Sequence, residues 1–247
     1  MRLLRHLYAF YVLSIFIFSF FIFIPIYLII FIFVNEKKSP HIAHQNSRIW
    51  ARFVYKLGFI KLDIKGKNKI NPKETYVFIS NHRSQLDIPL NAIACKNTFR
   101  YLAKQELTKI PFFGYVIKKL YITVNRQDQA DRNRALEKMK QSIAEGISVF
   151  IYPEGTRNRT SVPLLPLRDG AFRLAIETQV PLAILTIINA EKINSPVQPF
   201  QLNPGTIHAV WEEPVSTKGM TQNDIPELKQ TATEIILKNL KQYENKM

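Results

Sequence analysis

Tyr76-Val77-Phe78-Ile79-Ser80-Asn81-His82-Arg83-Ser84-Gln85-Leu86-Asp87 runs from an apolar segment into a polar block and then into a helical pattern. Tyr76 to Ser80, rich in aromatic and β-branched side chains, reads as a buried strand, and residues 85–96 read as the helix that follows it. Working outward, the alternation repeats. Tyr121 to Val124, Ser148 to Tyr152, Leu182 to Ile188 and Ile207 to Trp211 read as further strands, with 131–145 and 169–179 as helices between them. Asp224 and Glu227 have capping-box spacing around Pro226 and open an amphipathic helix through Leu228, Ile235, Ile236 and Leu240. Strands interleaved with helices predict an α/β domain, a mixed, largely parallel sheet covered by helices. A chain of 247 residues suits one such domain and an anchor.

The anchor is legible at the other end. From Leu7 to Val34 no residue carries a charge, and Phe, Ile, Leu and Tyr dominate. As a straight helix this run is about 42 Å long, against a hydrocarbon core of about 30 Å. A tilted span, a helix kinked at Pro25, and a re-entrant pair of short helices all agree with it. A secretory signal peptide is the disfavoured alternative, since the run is long for one and lacks a small-x-small cleavage site. The expected organisation is an anchor over 1–36, a juxtamembrane helix and linker over 37–75, and the catalytic-type domain over 76–247.

The chain has 34 Lys and Arg against 19 Asp and Glu. Arg2 and Arg5 are the only charged side chains in the first 34 positions, so nearly all of that excess lies in the domain. A basic domain tethered to a bilayer is drawn to anionic headgroups, by about 1 kcal/mol per Lys or Arg near the surface. Phosphate-backbone binding is the competing use of such charge, but no recognition-helix, zinc-ligand or RNA-binding signature is present, so nucleic acid is not expected. Basic residues flank the anchor on both sides, and the heavier load after it favours a domain on the cytoplasmic face.

Cys95 is the single cysteine, which excludes an intrachain disulfide and a cysteine metal cluster; a small packed residue is expected there. His41 and His44 have a metal-compatible spacing without a third ligand nearby, and are expected to be solvated at the interface.

Candidate chemistry sits where two strands end, the place where loops of open α/β sheets collect active sites. After Tyr76 to Ser80 comes His82, followed five residues later by Asp87. A carboxylate on one imidazole nitrogen fixes the tautomer and leaves the other nitrogen basic. Inside one regular helix these side chains would point about 140° apart, so His82 is expected in the entering loop and the helix to begin near Ser84. After Ser148 to Tyr152 comes Pro153-Glu154-Gly155-Thr156-Arg157-Asn158. It combines a carboxylate, a glycine that lets backbone donors approach an anion, and a guanidinium suited to bidentate phosphate binding.

Together these stretches resemble the 1-acyl-sn-glycerol-3-phosphate acyltransferases, or lysophosphatidic acid acyltransferases, over about residues 76–186. Asn81-His82 with Asp87 is similar to the family's first block. Lys104, Glu106 and Leu107, Ile110-Pro111-Phe112-Phe113-Gly114 and Val124-Asn125-Arg126 are similar to its second. Pro153 to Arg157 resembles the third, Leu165-Pro166-Leu167-Arg168 with Gly170-Ala171-Phe172 the segment after it, and Val180-Pro181-Leu182 the fourth. Tyr152 stands where Phe is commoner, Asn125 where Asp is common, and Ile184 near the place of a second proline.

The resemblance implies a glycerolphosphate acyltransferase-like fold. It also implies an acyltransferase that moves a fatty acyl group from acyl-CoA or acyl-carrier protein to the sn-2 hydroxyl of lysophosphatidic acid, giving phosphatidic acid in phospholipid biosynthesis. His82 would be the general base and Asp87 its catalytic partner. Asn81, Arg126, Glu154, Gly155, Thr156, Arg157 and Arg168 would be substrate-binding. No cofactor and no metal is expected; the partners are membrane phospholipid and lysophospholipid, an acyl thioester carrier and an anionic membrane surface. A different lysophospholipid or lyso-aminolipid acceptor is the alternative within enzymes, and a non-catalytic membrane-tethered lipid-binding protein is the alternative outside them.

Overall fold

The computed structural model describes residues 2–198 and 200–244. The outermost positions of the expected anchor and domain, residue 1 and residues 245–247, lie outside the described residues. One seven-stranded sheet organises the chain, from β1 (Ile60–Lys65), β2 (Val77–Ser80), β3 (Phe99–Lys104), β4 (Ile122–Val124), β5 (Ser148–Ile151), β6 (Leu182–Ile188) and β7 (Gly205–Trp211). Its order is β1-β7-β6-β2-β5-β3-β4. Every neighbouring pair is parallel except the antiparallel β6 and β7. The expected mixed, largely parallel α/β sheet is the observed one.

Central position explains why β2, β5 and β6 are apolar without alternation: every residue of all three is buried. Successive side chains go to opposite faces. Val77, Ile79, Val149 and Leu182 pack on one face with Phe172 and Leu174 of α6 (Gly170–Thr178) and Leu228 and Ile236 of α8 (Ile225–Glu244). Phe78, Phe150, Leu185 and Trp211 pack on the other with Leu90 of α3 (Asp87–Ala94).

Two strands went unanticipated. β1 lies in the segment expected as linker; its Ile60, Leu62 and Ile64 alternate with Lys61, Asp63 and Lys65, as on an edge strand with one wet face. β3 likewise alternates, with Phe99 and Tyr101 packed inward. Helix starts differ too. α3 opens at Asp87 rather than near Ser84, because the amides of Arg83 and Ser84 turn back to the Asp87 carboxylate and stay out of the helix. The capping box is formed by Thr221 and Asp224, around a single 3₁₀ turn at Gln222–Asp224, and not by Asp224 and Glu227. α8 continues directly from that turn.

The apolar run is one helix, α1 (Arg2–Phe33), with Pro25 inside it, and it returns through α2 (Ser39–Leu57). α1 lies along the domain. Tyr8 donates to the Gly58 carbonyl at the end of α2 and Tyr11 to Leu57 O at 3.1 Å. Trp50 Nε1 donates to Ser19 Oγ at 2.8 Å, and the Tyr27 and Ser47 hydroxyls meet at 2.6 Å. Phe20 and Phe31 touch Phe113 and Tyr115 of α4 (Phe113–Leu120). Its outward side leaves Leu3, Phe18, Phe21, Ile29 and Phe33 exposed. α1 is the one helix among the described residues long and apolar enough to cross a membrane.

His44 corrects its expectation. It is 4% exposed, edge-on to Phe99, because α2 docks that side onto the sheet instead of water. Burial, reinforced by the charge of Arg48, pushes its pKa down to about 3. His41 stays exposed on Thr98 Oγ1 at 2.8 Å, and Cys95 is buried immediately after α3.

Candidate active site

β2 and β5 are parallel neighbours, so their C-terminal ends deliver two loops side by side: 81–86 and 152–168. At the centre His82 Nδ1 lies 2.8 Å from Asp87 Oδ2. That same oxygen accepts from the amides of Arg83 at 2.9 Å and Ser84 at 2.8 Å. That oxygen acts as an acceptor toward both amides. With Nδ1 donating to it as well, a neutral ring keeps its lone pair on Nε2. Asp87 is fully buried, which keeps water from competing for it. One face of the imidazole lies on Tyr152, with centroids 4.0 Å apart and planes 17° apart.

A second carboxylate joins the two loops. Glu154 accepts from the His82 amide at 2.7 Å and the Leu165 amide at 2.9 Å, and is 3% exposed. Burial pushes its carboxyl above the ordinary glutamate range, while the amides of Leu165 and His82 oppose that shift. The Asn158 amide adds a 2.7 Å bond to the His82 carbonyl. Arg83 donates to the carbonyls of Thr160, Val162 and Pro163, holding the far part of the second loop.

Gly155 turns the chain at φ +71°, where a Cβ would lie 2.6 Å from Arg168 Nε; here only glycine lets the guanidinium lie against the backbone. Arg126 reaches the turn from the end of β4 and donates to the Gly155 carbonyl. Burial, then the neighbouring charge of Arg168, lowers the Arg126 pKa. Arg157 is half-buried, with its pKa lowered by burial and supported by Asp87, and its Nε has no partner among the described residues. Partly desolvated guanidinium groups with spare donors attract an anion strongly.

His82, Lys104, Arg126, Gly155, Thr156 and Arg157 line one cavity of about 1240 Å³. Its remaining wall is mostly apolar, built from Phe10, Leu13, Phe16 and Phe20 of α1, Phe113 and Ile117 of α4, and Ile88 and Pro89 of α3. The expected site residues thus fall into two groups. His82, Arg126, Gly155, Thr156 and Arg157 face the cavity. Asn81, Glu154 and Arg168 do not line it: Asn81 exchanges two 2.8 Å bonds with the Ile187 backbone, extending the β2–β6 ladder by a side chain. Tyr152, Asn91, Arg83 and Asn158 also build the site. Their contacts run between distant segments; Tyr152 and Asn158, flanking the third block, and Arg83, inside the first, carried a hint, and Asn91 carried none. No group of three or more His, Cys, Asp or Glu suited to a metal exists among the described residues.

The fold has a close counterpart in the crystal structure of the 1-acyl-sn-glycerophosphate (LPA) acyltransferase PlsC from Thermotoga maritima. The TM-score is 0.77 at 22% identity, covering 98% of this chain and 96% of that one. Curated relatives include 1-acyl-sn-glycerol-3-phosphate acyltransferases from Mus musculus, 28% identical over 72% of this chain and 62% of its own length, and Saccharomyces cerevisiae, 29% over 73% and 61%. A chloroplastic enzyme of that name from Brassica napus is 27% identical over 75% of this chain and 54% of its own length. The chain thus spans a little over half the length of these relatives. The acyltransferase family model matches residues 61–188. That match covers just over half of the chain, from β1 to the end of β6, and takes in both the His82 and the Arg157 loops, so the chain belongs to the acyltransferase family.

Proposed function

We propose that this chain transfers a fatty acyl group from a thioester carrier, acyl-CoA or acyl-carrier protein, to the free sn-2 hydroxyl of lysophosphatidic acid. The observation that carries the reading is a single cavity that joins an Asp87-oriented imidazole, a guanidinium-lined mouth and a long apolar wall. His82 Nε2 takes the hydroxyl proton as that oxygen attacks the thioester carbonyl carbon. The C–S bond then breaks, and the leaving thiolate recovers the proton from the imidazolium. Asp87 stabilises the charged ring between the two transfers. Arg126 and Arg157 hold the acceptor phosphate, and the apolar wall takes acyl chain.

The α1 exposure pattern supports a membrane-bound enzyme that meets acceptor and product in the lipid phase, and the basic domain suits an anionic, cytoplasmic surface. Turnover of purified, detergent-solubilised chain with lysophosphatidic acid and either thioester carrier tests the reading. Phosphatidic acid formation is expected; activity only with lysolipids lacking a phosphomonoester would overturn the acceptor assignment.

Arg157→Ala is expected to raise the acceptor KM by about 10- to 100-fold, the cost of one charge-assisted contact, with kcat less affected. An unchanged acceptor KM would remove Arg157 from the phosphate site.

A further inference from the structure

The bond from Asp87 fixes one nitrogen of His82, but a single hydrogen bond leaves a ring free to rock about that bond. The plane of the imidazole needs a second restraint. Tyr152, the first residue after β5, lies nearly parallel to it at 4.0 Å and 17°. Tyr101 of β3 is stacked with Tyr152 in turn, at 6.2 Å and 10°.

Both tyrosines are pinned by the same helix. The Tyr152 hydroxyl accepts from Asn91 Nδ2 at 2.8 Å, and the Tyr101 hydroxyl donates to the Ile88 carbonyl at 2.8 Å. Asn91 and Ile88 belong to α3, whose first residue is Asp87, and Asn91 is fully buried. Asp87 and Asn91 are four apart, on one side of the helix. α3 therefore presents a carboxylate to the edge of the imidazole and an amide to the phenol that covers its face. Burial pushes the Tyr152 hydroxyl well above its ordinary range, so the phenol stays neutral.

We infer that Tyr152 is a positioning residue for His82: its ring, anchored to α3 through Asn91, holds the imidazole plane so that Nε2 stays aimed at the acceptor hydroxyl. This rests on His82 acting as the base. The stacked face acts by shape and not by proton transfer. Its loss therefore affects the chemical step more than the binding of either substrate, since a misplacement of about 1 Å costs on the order of 10²-fold in rate.

The test is steady-state kinetics on Tyr152→Phe, Tyr152→Leu and Tyr152→Met in the full-length chain, with His82→Ala beside them and thermal unfolding of each. Tyr152→Met keeps an unbranched apolar volume without a flat face, and serves if Tyr152→Leu fails to fold. Tyr152→Leu and Tyr152→Met are expected to lose about 10²-fold in kcat, with both KM values within about twofold. Tyr152→Phe keeps the stack and loses only the Asn91 bond, so it is expected to recover all but about fivefold. Nitrogen-15 spectra of the His82 ring give a readout apart from turnover. The wild type is expected to show one Nδ1-protonated tautomer, and Tyr152→Met a broadened or mixed signal. Full kcat in Tyr152→Met, a rise in KM that accounts for its loss, or equal losses in Phe and Met variants would each overturn the inference. Wild-type turnover in His82→Ala would instead overturn the assignment of the base.

Discussion

Replacing His82 by Ala is expected to lower acyl-transfer turnover by about 10²- to 10⁴-fold, the usual contribution of a positioned general base, while the chain stays folded and bound to membranes. The fold survives because Asp87 keeps its two amide donors from Arg83 and Ser84, and because the His82 backbone remains held by Glu154 and Asn158. What disappears is the imidazole that lines the cavity together with Arg126 and Arg157. Rates with labelled acyl thioester on washed membranes, normalised to folded protein, measure the loss. Retention of more than about a tenth of wild-type turnover would mean that another group accepts the proton.

Glu154→Ala is expected to damage the enzyme in a different way from a lost substrate contact. It leaves the half-buried amides of His82 and Leu165 without their acceptor, and a donor orphaned away from water costs about 1–3 kcal/mol. Some of that is offset because the carboxylate no longer has to be held out of water, as its raised pKa records. The net expectation is about 2–3 kcal/mol, or roughly 5–10 °C in the unfolding midpoint for a chain of this size. With the His82 loop no longer tied to the Leu165 segment, kcat should fall by about 10²-fold, with the acceptor KM little changed. Scanning calorimetry and a KM-resolved assay separate the cases: an unaltered midpoint with a large rise in acceptor KM would make Glu154 a ligand of the acceptor after all.

The contrast between these two residues shows how far the chemistry was legible in sequence. His82 and Asp87 are close along the chain, so their pairing follows from a strand end, a short loop and a helix start. Glu154 reaches an amide 72 residues away, and nothing in Pro153 to Arg157 distinguishes a carboxylate facing a substrate from one facing a backbone. Asn81 raises the same difficulty, since its partner Ile187 is 106 residues distant. Among the strands, β2, β5 and β6 declare themselves because both faces are buried and the apolar run is unbroken. β1 and β3 carry charged residues on one face; β1 falls in the expected linker, and β3 falls after the expected helix 85–96, where no element was expected. Alternation over six residues is a weak signal when so few apolar positions carry it. The helix α3 was placed correctly, but its start was not, because the carboxylate of its own first residue holds back the turn before it.

The packing of α1 along the domain changes what shortening this protein would do. Phe10, Leu13, Phe16 and Phe20 belong at once to the long apolar helix and to the wall of the cavity. A truncation made to obtain a water-soluble enzyme would strip away a side of the chamber along with the tether. The remnant would present an open trough, and a lipid tail would have nothing to close over it.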